Sequence, residues 1–230
     1  MFSSASIARR FGLAVLAVAV VGSVAACGSK SLMDNFTDKI TASDFQAAGA
    51  LTGSYSVAAA GVTYSATITG TEKIKGQDTS QEMTMSMAAT DSTPASTSET
   101  DTITVGDSTY TRSDGGTWTK TARGSETDIK TVVSQVGLTD KGVESHFGQQ
   151  LHRLESTKPV PDSFIFGDTT GISDTNMTLT FWAKDDGTPA GMTMAGTYTQ
   201  DMSGTSGAVT ISMEVSFDTL SGVDISAPSM

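Results

Sequence analysis

One cysteine, two histidines and a run of alternating methionines are the residues of this 230-residue chain whose types and spacing could do chemistry. Cys27 is the single thiol, so neither a disulfide framework nor a thiolate metal site can form within one chain. The thioethers of Met83, Met85 and Met87, with Met192 and Met194, are soft ligands that suit Cu(I), yet no second cysteine and few histidines accompany them. The same flexible, polarizable side chains suit ordinary core packing or a wall against varied apolar partners such as lipid tails. His146 and His152 flank Phe147-Gly148 and would face each other only across a symmetric hairpin. With Glu144 and Glu155 as the nearby carboxylates, they read as surface histidines rather than a metal pair. There is no Gly-x-Ser-x-Gly elbow, no second nucleophilic thiol and no carboxylate pair marked by its surroundings, so an enzyme is not expected. Asp114-Gly115-Gly116 and Asp185-Asp186-Gly187 lack the full ligand spacing of calcium loops and read as hairpin turns. No metal and no cofactor are expected.

The surroundings of Cys27 say where the chain works. Arg9 and Arg10 precede an apolar run of about 14 residues, Phe11 to Val24, which is short for a membrane span and typical of a cleaved export signal. Ala25 and Ala26 directly before Cys27 resemble the lipobox of bacterial lipoproteins. That resemblance implies cleavage between Ala26 and Cys27, acylation of the Cys27 thiol, and an extracytoplasmic protein anchored to the bacterial cell membrane. A single acyl chain holds a protein only marginally, so stable anchoring takes more than one. The expected organisation is a signal peptide over 1–26, a lipidated N-terminus and tether over 27–34, and one domain over 35–230. The net charge is −11, and losing Arg9 and Arg10 makes it more negative still, a balance that repels nucleic acid.

The elements that must position these residues are mostly strands. The 23 glycines, 5 prolines and many Ser and Thr favour strands and tight turns. Met33 to Ala50 carries Phe36, Ile40 and Phe45 and predicts a short helix; from Gly53 the period becomes two. Tyr55, Val57 and Ala59 alternate with polar or small residues, as do Val62, Tyr64, Ala66 and Ile68 beyond an Ala60-Gly61 corner. Met83 to Met87 is a third strand, Thr90 to Thr100 a mobile Ser/Thr/Pro connection, and Ile103 to Trp118 a meander of short strands. Ile129, Val132, Val133 and Val136 fall at helical spacing after a Ser125/Asp128 capping box, predicting a helix from Glu126 to Gly137 that is a fixed plug or a moving lid. Strands resume around the Phe147-Gly148 corner. Phe164-Ile165-Phe166 is an apolar knot between loops, and Met177, Leu179 and Phe181, then Met192 and Met194, then Ile211, Met213 and Val215 mark three more strands.

Nearly every strand thus has one apolar and one Ser/Thr face, the pattern of an antiparallel sheet buried on one side. About ten strands against two helices leave apolar surface that strands must close or a ligand must fill. The order of lipobox, helix, Gly53-Ser54-Tyr55-Ser56-Val57 strand, Thr109-Tyr110-Thr111-Arg112 to Trp118 meander, helix, Leu151-His152-Arg153-Leu154 strand, Asp186-Gly187-Thr188-Pro189 hairpin and closing Ile225-Ser226-Ala227-Pro228 is similar to the LppX/LprG-type actinobacterial lipoproteins. These belong to the wider group whose fold is like the carrier LolA. The resemblance covers roughly residues 35 to 228. It implies a mainly β (α+β) fold, a curved antiparallel half-barrel with a few helices plugging its concave face, and a lipid or lipoglycan held there for transport or presentation by a monomeric protein. It carries no ligand residue position by position. From the residues themselves the candidate lining is Met83, Met85, Met87, Val132, Val133, Val136, Phe164, Phe166, Leu179, Phe181, Met192, Met194, Ile211, Met213 and Val215. The alternative is a non-enzymatic surface module on the same scaffold that docks a partner protein and carries no lipid.

Overall fold

The computed structural model describes residues 30–229 apart from 91–92, 124–128, 167–168 and 202–204, so Ala26, Cys27 and the Ser125/Asp128 box lie outside the described residues. Its first element shows why the helix expected near Met33 is short. Ser31 caps α1 (Leu32–Ile40) by accepting from the Asp34 N–H at 3.1 Å, while the Asp34 carboxylate accepts from the Ser31 N–H. Phe36 and Ile40, four residues apart, form its buried face. The helix ends at Ile40, and β1 already begins at Gln46, seven residues before the position where the alternation becomes clean.

Ten further strands follow: β2 (Val62–Lys75), β3 (Asp78–Met87), β4 (Ser96–Val105), β5 (Ser108–Ser113), β6 (Thr119–Ala122), β7 (Leu138–His146), β8 (Gln149–Ser156), β9 (Ile172–Ala183), β10 (Pro189–Asp201) and β11 (Ser206–Ser216). Between β6 and β7 lies α2 (Ile129–Val136), and between β8 and β9 lies α3 (Asp162–Phe166). Two expectations are corrected here. The stretch Thr90 to Thr100 is not wholly a connection, because from Ser96 it pairs with β3 and supplies the strand that Met83 to Met87 needs on its far side. Phe164-Ile165-Phe166 belongs to a one-turn helix that sets Phe164 and Ile165 into the core; the Phe166 side chain is outside the described residues.

All eleven strands form one antiparallel sheet, in the order β6-β5-β4-β3-β2-β1-β11-β10-β9-β8-β7. Its two ends, β6 and β7, do not pair, so the sheet is open. Hairpin turns take left-handed backbone at both central residues, at Ala60-Gly61 with φ 50° and 79° and at Phe147-Gly148 with φ 48° and 71°, where each glycine adopts it freely and Ala60 and Phe147 bear its steric cost. Glycine inside the strands lets the sheet bend. A Cβ on Gly70 would sit 1.9 Å from the Glu82 carbonyl oxygen, and one on Gly196 would sit 2.1 Å from that of Asn176. The result is a curved sheet with α1 and α2 on its inner face, the half-barrel class that the family resemblance implies and one of the arrangements the one-sided strands left open.

Among the described residues the core lies between Leu32 and Val223, and a chain beginning at Gly28 keeps those residues. Among the described residues no helix is long and apolar enough to cross a membrane.

Candidate ligand-binding face

Register turns the separate alternations into rows on the inner face. One row runs Leu154, Phe181, Met192, Val215, Leu51, Gly70, Met83, Thr100, Ser113 across nine strands from β8 to β5. The next runs Leu179, Met194, Met213, Gly53, Ile68, Met85, Ser98. Both are apolar as far as β3 and polar from β4 onward. The inner face therefore has an apolar field over β8 to β3 and a hydroxyl-lined field over β4 and β5.

The apolar field holds the residues that the sequence marked. Met83, Met85, Val132, Val133, Val136, Phe164, Leu179, Phe181, Met192, Met194, Ile211, Met213 and Val215 are all buried in one cluster, with the half-buried Met87 packed against it. Seven of the chain's 11 methionines occupy this face: the six of these residues that are methionine, together with Met177. Helix α1 enters the same cluster through Phe36, whose ring centroid lies 5.3 Å from that of Phe181. Its C-terminal turn is pinned from outside: Lys39 Nζ donates to Asp186 Oδ2 at 3.1 Å and to Thr188 Oγ1 at 2.7 Å on the β9–β10 turn. Two hydrogen bonds from Thr188, joined by Lys39, hold the exposed Asp186 carboxyl down at about 2. The helix approaches this turn so closely that a Cβ on Gly187 would meet the Phe36 nitrogen at 2.7 Å.

Strand alternation places one charged residue among the apolar ones. Glu72 continues the Ala66, Ile68, Ile74 parity of β2 and faces inward, 2 % exposed, where one carboxylate oxygen accepts from Gln81 Nε2 at 2.9 Å. Burial pushes its pKa up to about 8 against that hydrogen bond, which acts to lower it. The alternation from Val62 to Ile68 marks only the first part of this strand, and the same period followed to Lys75 places Glu72 on the apolar face.

The two histidines lie half-buried at the surface, each beside a carboxylate, and do not face each other. His146 pairs with Gln149 and His152 with Val143, so the two point to opposite faces. The β7–β8 hairpin runs beyond its last pairing with β9 and folds over the outer face of the sheet. There His146 stacks on Trp182 at 3.8 Å and 11°, and its Nε2 lies 2.8 Å from Glu214 Oε2 on β11. Phe147 completes a small outer cluster with Leu151, Trp182 and Ala190. The tip roofs a cavity of about 580 Å³ lined by Glu144, His146, Arg153, Glu155, Trp182 and Glu214, among others. Gly191 makes room for it, since a Cβ there would lie 2.4 Å from the Phe147 ring. Gly191→Ala is expected to lift the tip and cost about 1–3 kcal/mol by overpacking. In a Trp118→Phe background the Trp182 emission should shift to the red, and an unshifted spectrum would show that the tip does not rest on Trp182.

These features define a class, an open antiparallel half-barrel with helices on an apolar inner face. No family model and no curated protein matches the chain. Among solved structures it is similar to LprF from Mycobacterium bovis, with 14% identity over 88% of this chain and 100% of that one and a TM-score of 0.41. It is also similar to a LolA superfamily protein from Nitrosomonas europaea, with 10% identity, coverage of 85% and 96% and a TM-score of 0.25. A DUF1329 family protein from Desulfovibrio piger shows 10% identity, coverage of 85% and 96% and a TM-score of 0.27.

Proposed function

We propose that this chain is a lipoprotein anchored outside the cytoplasm through acylated Cys27, which binds a lipid or lipoglycan against its inner face for transport or presentation in the cell envelope. The observation that carries the reading is the composition of that face. Seven methionines line it, backed among the described residues by helices of only 9, 8 and 5 residues. Methionine has three rotatable bonds and repacks around apolar guests of varied shape, where a fixed core would favour branched side chains. The candidate lining residues named above are proposed as the walls against which acyl chains lie, with α1 and α2 as the elements that part to admit them. No covalent chemistry is required of any residue once Cys27 has been acylated.

Two measurements test this. Mass spectrometry of organic extracts from the purified chain beginning at Gly28 is expected to recover a lipid in near-stoichiometric amount. Repeated recovery of none would leave a surface module that docks a partner protein. For the anchor, cells expressing the full chain should incorporate labelled palmitate into it, and Cys27→Ser should abolish both the label and membrane fractionation. Persistence of the label in that variant would place the acylation elsewhere.

A further inference from the structure

The polar field of the inner face has more hydrogen-bonding capacity than the protein uses. A third register row runs Gly49, Glu72, Gln81, Thr102, Thr111, Thr119, from the edge of the apolar field to the last strand. Beside it lie Thr79, Ser98, Thr100 and Thr104, all buried. Along these rows two oxygens are shut off from water and have no hydrogen-bonding partner among the described residues: Glu72 Oε1, at the edge of the apolar field, and Thr100 Oγ1. Their residues are 2 % and 8 % exposed. Buried polar atoms are nearly always paired, so two orphans on one face point to a missing partner. The residues stand two strands and two positions apart, roughly 12 Å from strand spacing and rise, which is too far for one water and near the span of a small lipid head. The outer end of the row, Thr111 and Thr119, lines a surface cavity of about 460 Å³ together with Arg112, Ser113, Gly116 and Thr117, and the Arg112 guanidinium there is already paired with Asp101.

We infer that Glu72, Gln81 and Thr100 form a polar subsite that takes the hydroxyl groups of an uncharged polyol head, while the acyl chain of the same molecule lies on the methionine-lined field; the inference rests on the carrier reading and adds the head-group chemistry to it. The charge pattern selects against an anionic head. By register, the inward positions of β2 to β6 hold no lysine or arginine: Lys73, Lys75, Arg112 and Lys120 all alternate to the outer face. A phosphate placed here would lose its water and gain no cation. Burial keeps the proton on Glu72 at neutral pH, so its carboxyl, like the Thr100 hydroxyl, both donates and accepts. The uncharged group that answers both roles at once is another hydroxyl.

Three probes sharing one pyrene-labelled acyl chain test the subsite: a monoacylglycerol, the corresponding lysophosphatidylglycerol and the methyl ester, each titrated at pH 7 into the delipidated chain beginning at Gly28. The monoacylglycerol is expected to bind about tenfold or more tightly than either of the others, the effect of one or two hydrogen bonds to otherwise unpaired buried groups. In Glu72→Leu and, separately, in Thr100→Val, that preference should shrink to within about twofold. Should Glu72→Leu fail to fold, Thr100→Val decides alone, since it removes only a hydroxyl. Equal binding of the three probes to the parent chain, or a preference that survives Thr100→Val, overturns the subsite and leaves the carrier reading standing. Binding of none of them overturns the carrier reading itself.

Discussion

Raising the pH from 4 to 8.5 is expected to remove on the order of 4 kcal/mol of folding stability through Glu72 alone. In the unfolded chain this carboxyl ionises near its ordinary value of 4.5, and in the fold burial raises it to about 8. Between those values the folded state binds more protons than the unfolded one, so stability is full below the lower value and falls as pH rises through the upper one. The opposite sign holds for Asp186, whose lowered pKa contributes stability that is lost only as the pH falls toward about 2. Glu72→Gln keeps the shape and the polar contact to Gln81 while removing the titration. The check is urea unfolding of both proteins across the range, with the parent subtracted from the variant. The difference should grow by about 4 kcal/mol in favour of the glutamine, and a flat difference would mean that Glu72 ionises in the fold as it does in water.

Phe36→Ala is expected to cost about 3–5 kcal/mol, the range for a large aromatic truncated in a filled core. Its side chain is wholly buried against Phe181, and with Ile40 it is the contact through which α1 enters the cluster. Phe181→Ala should cost a similar amount. In a double-mutant cycle the two losses should fall short of additivity by about 0.5–1.5 kcal/mol, the coupling of a tilted aromatic pair. Chemical denaturation of the four proteins measures both. A loss below about 1 kcal/mol for Phe36→Ala would show that α1 rests on the sheet without being part of its core. In that case Lys39, bridging to Asp186 and Thr188, would be the helix's principal attachment.

Much of the architecture was legible because strand periodicity is a local property. Alternation at Tyr55 to Ala59, at Met83 to Met87 and at Val209 to Phe217 assigns strands and the face each one buries. The glycines of Ala60-Gly61 and Phe147-Gly148, which adopt left-handed backbone freely, assign the hairpins between strands. Where the signal was masked the reading failed for stated reasons. Ser96 to Thr100 has no apolar residue in its alternation, because β4 turns the hydroxyls of Ser98 and Thr100 inward and Thr97 and Glu99 outward, and so it looked like a linker. Three apolar residues in a row at Phe164 have no period to read, and the one-turn helix there is set by the core it caps.

By itself the sequence determined a one-sided antiparallel sheet, its turns and its inward apolar set, since each of these depends on residues within a few positions of one another. The tertiary structure alone decided the neighbours. Register between strands distant in sequence puts Met83 in line with Phe181, ends the apolar field at β3, and buries Glu72 beside Gln81 with one oxygen unmet. Folding of the β7–β8 tip carries His146 across three intervening strands to Glu214. A carboxyl one strand from solvent and a carboxyl in the core have the same sequence signature, and only what packs around each decides which proton it keeps.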